Sequence, residues 1–435
     1  MLLLQRARVP VSLLPPDFAG VFTDPLEPAA LCDVLIAGER IARVTPAAAR
    51  DSAPAADGIR VHDAAGALLF PAFVDAHTHL DKAHTWFRAP NRTNTFFDAL
   101  ETLWRDKENW TADDVRRRAD FALRCAWAHG TRIIRTHIDS AFDGAETSHA
   151  VMAELRAAWR GRIELQTVSL CGDDIFATPA GEQVADLAVR HGASALGGFL
   201  QMSPELPGRI DRLLALARDR GVGVDLHVDE NGRAESECLR LVAEAVLRTQ
   251  FPLPVVCGHC CSLAVQPADR QRATIALVKE ARIGVISLPL CNLYLQDRRT
   301  GTFPRTPHWR GVTLIQELLD AGVPVACASD NVRDAFCRYG DLDMLEIYTE
   351  SVRLAHLDAR LADSVCTVTR TAAELVGRPG FGRVAPDAPA HLVLFAAKSF
   401  SELLARPGAP RQCLDGEALR PLPPPDFSEL GEPPA

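Results

Sequence analysis

Three absences narrow the reading of this 435-residue chain. No stretch approaches ~20 uninterrupted apolar residues, so a membrane span is not expected. No block of basic residues occurs and the formal net charge is -9, which argues against a nucleic-acid partner. The opening Met1-Leu2-Leu3-Leu4-Gln5-Arg6 lacks the basic-then-apolar order of a secretory signal, so a cytoplasmic location is expected. What remains is a chain with 47% hydrophobic residues, enough to bury a large core. Its length suits a barrel of roughly 250 or more residues with a smaller accessory unit.

The 12 cysteines are scattered and many lie within apolar runs, which reads as reduced, buried thiols. Cys257-Gly258-His259-Cys260 copies a thiol–disulfide oxidoreductase motif, but that motif needs a strand-to-helix turn in a small thioredoxin-like unit. Here it closes the strand run Pro254-Val255-Val256-Cys257, deep in a long chain.

The informative presence is Asp75-Ala76-His77-Thr78-His79, which follows the apolar run Leu68–Val74. Side chains at i and i+2 of a strand share a face, so two imidazoles in His-x-His spacing can grip one ion from a strand end. From Leu68 onward the chain alternates short apolar runs with helical stretches. The run ends fall near His79, Asp139, Leu170, Gln201, Glu230, Cys260, Cys291 and Asp330. Eight such units, mostly spaced by about 30 residues, predict a (β/α)8 barrel. Helices are expected over 209–220, 235–248, 269–281 and 313–321, with Gly221, Gly284 and Gly322 as stop signals. The barrel is expected to occupy 68–384, and 1–67 with 385–435 to form a small β-sandwich domain built from both termini. A hairpin is expected over 34–44, a strand over 391–395 and a loosely ordered tail over 421–435.

In a barrel of this type the chemistry sits at the C-terminal strand ends. Those ends carry His77 and His79, then His227-Val228-Asp229-Glu230, then His259, then Asp330. Three imidazoles and one carboxylate suit a divalent zinc or ferrous ion, which would acidify a water molecule. Glu230 lies where it could shuttle a proton, His259 where it could orient the water, and Asp330 where it could accept a proton. The competing use of Asp229 or Asp330 is to cap a helix N-terminus.

Together with Arg135-Thr136-His137-Ile138-Asp139, Pro289–Gln296 and Ser329-Asp330-Asn331, these segments resemble the bacterial cytosine deaminase group of the amidohydrolase superfamily. The N-isopropylammelide amidohydrolases are similar too. The resemblance implies His77, His79, His227 and Asp330 as ligands of one divalent ion, zinc or iron(II). It implies Glu230 as proton shuttle and His259 as the group that helps activate water. Binuclear relatives carry a bridging lysine on strand three or four; none occurs in 163–170 or 195–201, which supports one metal.

The departures fall where the substrate is read. A glutamine that addresses the pyrimidine amide edge in the cytosine deaminases is replaced by Gly172, which opens space. Asn331 stands for a second aspartate, and Phe336 for a later aromatic. Loss of a buried amide partner removes selectivity for the ring that needed it. Lys82, Gly172, Gln296, Asn331 and Phe336 are the candidate substrate contacts, with Arg298 and His308 behind them. His137 is either pocket or core, and Trp86, Phe87, Phe96, Phe97 and Trp104 are read mainly as helix packing. The expected activity is hydrolytic deamination of an amino-substituted nitrogen heterocycle such as a cytosine-like pyrimidine, a pterin or a cyclic amidine. Release of an alkylamine from a triazine and cyclic-amide hydrolysis are the alternatives, and a non-catalytic scaffold is disfavoured. A small heterocyclic substrate is the expected partner, with homo-oligomers left open.

Overall fold

The computed structural model describes residues 1–18, 24, 26–47, 58–298, 305–415 and 417–431. Its contacts divide the chain into two compact units. One comprises Met1–Val74, Ala126–Arg132 and Asp343–Pro424; the other comprises Asp75–Cys125, Ile133–Leu342 and Pro425–Ala435.

Eight strands follow one another round a single sheet: β1 (Phe73–Thr78), β2 (Thr131–Asp139), β3 (Glu164–Leu170), β4 (Ala195–Leu196), β5 (Gly223–Val228), β6 (Val255–His259), β7 (Gly284–Ser287) and β8 (Val325–Cys327). Successive strands from β2 to β8 pair in parallel, and a parallel bridge between Thr78 and Asp330 brings the first and last strand regions together. Helices lie between the strands, so the architecture is a (β/α)8 barrel. Every residue of β1, β2, β5, β6, β7 and β8 is buried, as a parallel sheet covered on both faces requires.

The other two sheets form a small additional domain. One has Leu2–Pro10, Ala29–Ala37, Arg40–Pro46 and Arg60–Asp63; the hairpin expected over 34–44 is its central turn, with Gly38 at φ +60°. The other pairs Leu69–Pro71 with Leu392–Phe395, followed by Arg411–Asp415 and Ala418–Arg420.

Several local expectations need correction. The seventh strand stops at Ser287, and Cys291 lies inside a helix, Pro289–Leu295, because Pro289 is already set for a first helical turn. Gly221 and Gly322 do end helices in left-handed conformation, but Gly284 opens β7 and Arg282 takes the left-handed turn before it. The tail is ordered over its described part, up to residue 431. Phe427 packs on Phe121 at 5.5 Å between ring centroids, and Glu429 pairs with Arg124 at 2.7 Å. Residues 432–435 lie outside the described residues.

The shortest strand shows what a glycine does here. A Cβ on Gly197, just past β4, would stand 2.3 Å from the Ser169 carbonyl oxygen and 2.7 Å from that of Asp225. Both neighbours are backbone and cannot yield as a side chain would. Gly197→Ala is therefore expected to lower the thermal midpoint by about 1–3 °C, since overpacking costs about 1–3 kcal/mol. An unchanged midpoint in a calorimetric scan would contradict this account of β4.

Candidate active site at the C-terminal end of the barrel

The site begins with the way β1 meets β8. Asp75, buried inside β1, accepts hydrogen bonds from the Ser329 backbone N–H at 3.1 Å and from the Ser329 hydroxyl. Burial pushes the Asp75 carboxyl up to about 6 against the pull of these donors. One step further, Thr78 Oγ1 donates to the Asp330 carbonyl at 2.8 Å, and the Asp330 N–H donates to the His77 carbonyl at 2.9 Å. These bonds hold Asp330 in left-handed conformation, φ +65°, with its carboxylate turned toward the histidines of β1.

Four candidate ligand atoms then converge. His77 Nε2 lies 3.1 Å from His227 Nε2, and His227 Nε2 lies 3.3 Å from His79 Nε2. Asp330 Oδ1 is 3.2 Å from His79 Nε2 and 3.7 Å from His77 Nε2. A proton on one ring nitrogen can satisfy one neighbour, so His227 Nε2, facing two others, is not explained by hydrogen bonds. Ligands at zinc-like bond lengths and tetrahedral angles stand roughly 3.3 Å apart, which is the spacing found. Among the described residues neither Asp330 oxygen has a hydrogen-bond partner, although Asp330 is buried. Burial and the neighbouring imidazoles hold His77 and His227 well below the ordinary histidine range, leaving their lone pairs free. The donor set fits a divalent transition ion.

Gly258 makes this convergence possible. It pairs in register with His227 across β5 and β6, and a Cβ on it would lie 3.1 Å from His77 Cε1. The Cys-Gly-His-Cys segment is thus built around the missing side chain: Cys257 and Cys260 are buried free thiols, and burial pushes both well above the ordinary thiol range. His259 closes β6 at φ +67° and is buried. Its Nδ1 is 3.5 Å from Glu230 Oε1 and 3.0 Å from the Asn292 side-chain nitrogen. Asp229 is a cap: its carboxylate accepts the Cys238 and Leu239 N–H groups, both at 2.9 Å, at the start of Cys238–Thr249. His137 is buried and absent from the cavity wall; its ring packs 4.1 Å from that of His77, with a nitrogen 3.6 Å from Asp225.

A cavity of about 360 Å³ opens beside these groups, lined by His79, His227, Glu230, His259 and Asp330 at one end. Lys82, Gly172, Asn331 and Phe336 line it as well. Gln296 does not; its amide donates to the Glu230 carbonyl at 3.1 Å and faces a smaller cavity of about 290 Å³ that shares Glu230. Arg298 and His308 line neither. Phe96 and Trp104 are wall residues rather than helix packing, because the helix Phe96–Asp106 buries Ala99 and Leu103 and turns Phe96, Leu100 and Trp104 to the cavity. Phe96 lies parallel to Phe199, 5.6 Å and 24° apart.

Two wall features were beyond the sequence reading. The space expected at Gly172 is taken by the neighbouring Asp174, whose carboxylate Oδ1 would be 2.5 Å from a Cβ there. Lys82 is joined by Lys107: each ammonium lies 2.9 Å from one oxygen of Asp139, whose own N–H is held by Asp81. Burial opposes ionisation of Asp139, but Lys107 and Lys82 outweigh it and hold the carboxyl well below its usual range. Asp139→Asn would leave two buried ammonium groups short of a counter-charge. It is expected to cost about 3–5 kcal/mol of stability, read as a large fall in thermal midpoint, whereas a change within error would show the cluster to be fully solvated.

The sequence matches the amidohydrolase family over residues 60–119 and 111–409. It is 44% identical over 399 residues to a pterin deaminase of Rhizobium rhizogenes, covering 92% of this chain and 90% of that one. Its fold superposes on 5-methylcytosine deaminase from Klebsiella pneumoniae, liganded with 5-fluorocytosine, with a TM-score of 0.81 at 24% identity, covering 96% of each chain. It also superposes on N-isopropylammelide isopropylaminohydrolase from Burkholderia multivorans, with a TM-score of 0.74 at 26% identity, covering 97% of this chain and 98% of that one. The homologues are hydrolases of carbon–nitrogen bonds in cyclic amidines, and the chain belongs with them to the amidohydrolase family.

Proposed function

We propose that this chain deaminates a pterin-type bicyclic aminoheterocycle by hydrolysis, releasing ammonia. The observation that carries the reading is the meeting, at one end of a roomy aromatic-walled cavity, of a four-ligand centre with the Glu230 carboxyl. The 44% identity to a pterin deaminase over nearly the whole chain supports the choice of ring.

In this reading His77, His79, His227 and Asp330 hold one divalent ion, zinc or iron(II). Such an ion supplies Lewis acidity, so that a nucleophile is available from water near neutral pH. Burial, reinforced by the charge of Asp330, pushes the Glu230 carboxyl well above its usual range. Glu230 therefore holds a proton that it can deliver to the ring nitrogen beside the carbon bearing the amine. As the water oxygen bonds to that carbon, the proton it sheds passes to Asp330 or Glu230 and onward to the departing nitrogen. The carbon–nitrogen bond breaks, ammonia leaves, and the proton of the added hydroxyl returns to Glu230 as the ring carbon becomes a carbonyl. Phe96, Phe199 and Phe336 offer apolar faces to a planar ring, and the position of Asp174 suits it to accept N–H groups from the ring edge. A pyrimidine would leave much of this cavity empty, which is why the bicycle is preferred.

Release of an alkylamine is the second reading, favoured by the smaller cavity behind Glu230, lined by Phe97, Met202 and Leu295. An N-alkyl group would have an apolar berth there.

Ammonia release by the zinc- or iron-loaded protein is expected with pterin and not with cytosine. Glu230→Gln should abolish it while retaining about one ion per chain by elemental analysis. Isopropylamine in place of ammonia, from an alkylaminotriazine, would favour the second reading. Silence with both ring classes would sink both. Asp174→Ala is expected to raise KM for pterin about tenfold with a smaller change in kcat, in line with loss of a polar contact to substrate. An unchanged KM would remove Asp174 from the substrate contacts.

A further inference from the structure

Asn292 sits at the middle of the helix Pro289–Leu295, buried, with its backbone N–H bonded to the Leu288 carbonyl at 3.0 Å. Its side-chain nitrogen faces two groups at once: Glu230 Oε1 at 3.4 Å and His259 Nδ1 at 3.0 Å. The amide has two N–H groups and can serve both. With the Glu230 proton on Oε2, Oε1 is an acceptor and is met by the amide N–H, so the same nitrogen, and not the amide oxygen, faces the imidazole. His259 Nδ1 must then accept. In a neutral imidazole the proton is therefore on Nε2, an atom that is buried and without a hydrogen-bond partner among the described residues.

We infer that Asn292 is a positioning residue that locks His259 in the Nε2–H tautomer, making His259 a hydrogen-bond donor into the site. Its role as a site group rests on the deaminase reading above; its tautomer does not. As a fixed donor, His259 holds the water oxygen or the oxygen of the addition product, and the proton shed by water goes to Asp330 or Glu230. The rival arrangement is an Nδ1–H that donates directly to Glu230 Oε1, 3.5 Å away, with Nε2 left as a base. The shorter contact is to Asn292, and it excludes a proton on Nδ1.

The test is a nitrogen-detected NMR spectrum of the full chain labelled with 15N-histidine, the His259 signals being identified by their loss in His259→Gln. The unsubstituted protein is expected to show His259 protonated at Nε2 and bare at Nδ1. Asn292→Asp places a carboxylate against Nδ1 and is expected to invert the tautomer. Asn292→Ala, which keeps no side-chain donor, should release it to a mixture and serves if the aspartate variant does not fold. Both variants should lower kcat about 10- to 100-fold on a substrate that is turned over, with KM changed far less. A proton on Nδ1 in the unsubstituted protein, or the same tautomer with and without Asn292, would overturn the inference. Absence of turnover on every ring would count against the deaminase reading alone, because the spectrum is read without substrate.

Discussion

The junction of β1 with β8 is the constraint on which the site depends. A parallel barrel can close only if its first and last strands find each other in register, and here buried polar groups do the finding. Asp75 is held by Ser329, and one residue pair further on the backbones of His77 and Asp330 are joined. The same few bonds that complete the sheet deliver a carboxylate to the two imidazoles of β1. Barrel closure thus sets Asp330 beside His77 and His79.

Around that junction the protein keeps unusual backbone and unusual burial. His259 and Asp330, with Asp229 beside them, all adopt left-handed conformations without being glycine; Asp330 is bonded to the His77 carbonyl and Asp229 to the N–H groups of Ser262, Cys238 and Leu239. Buried charge is balanced locally: two lysines against Asp139 and Asp81, one arginine against Asp225. Such clusters are costly to break and add little as stabilisers compared with apolar packing. Their value is in fixing geometry next to a cavity where side chains must not drift.

Much of the barrel was legible because each strand is a buried run that ends in polar residues, and that alternation survives without any alignment. The failures are local and physical. Cys291 continues an apolar stretch, but Pro289 has already turned the chain into a helix, and hydrophobicity alone cannot tell the two apart. β4 has two residues because Gly197 and Gly198 bring the backbone close to its neighbours, a feature that looks in sequence like an ordinary loop. The histidines and carboxylates of the strand ends were legible because their spacing is short and a strand fixes which way they point. The substrate wall was not. Trp104 and Lys107 come from a helix and its continuation, and which face is turned inward depends on the tertiary structure. Gly172 read as empty space, whereas the chain folds Asp174 back over it.

Gly258 couples two distant parts of the sequence. With an imidazole carbon 3.1 Å from where its Cβ would stand, a side chain at position 258 requires the His77 ring to give by a few tenths of an ångström. Sequence drift at one position is thereby constrained by the occupant of the other.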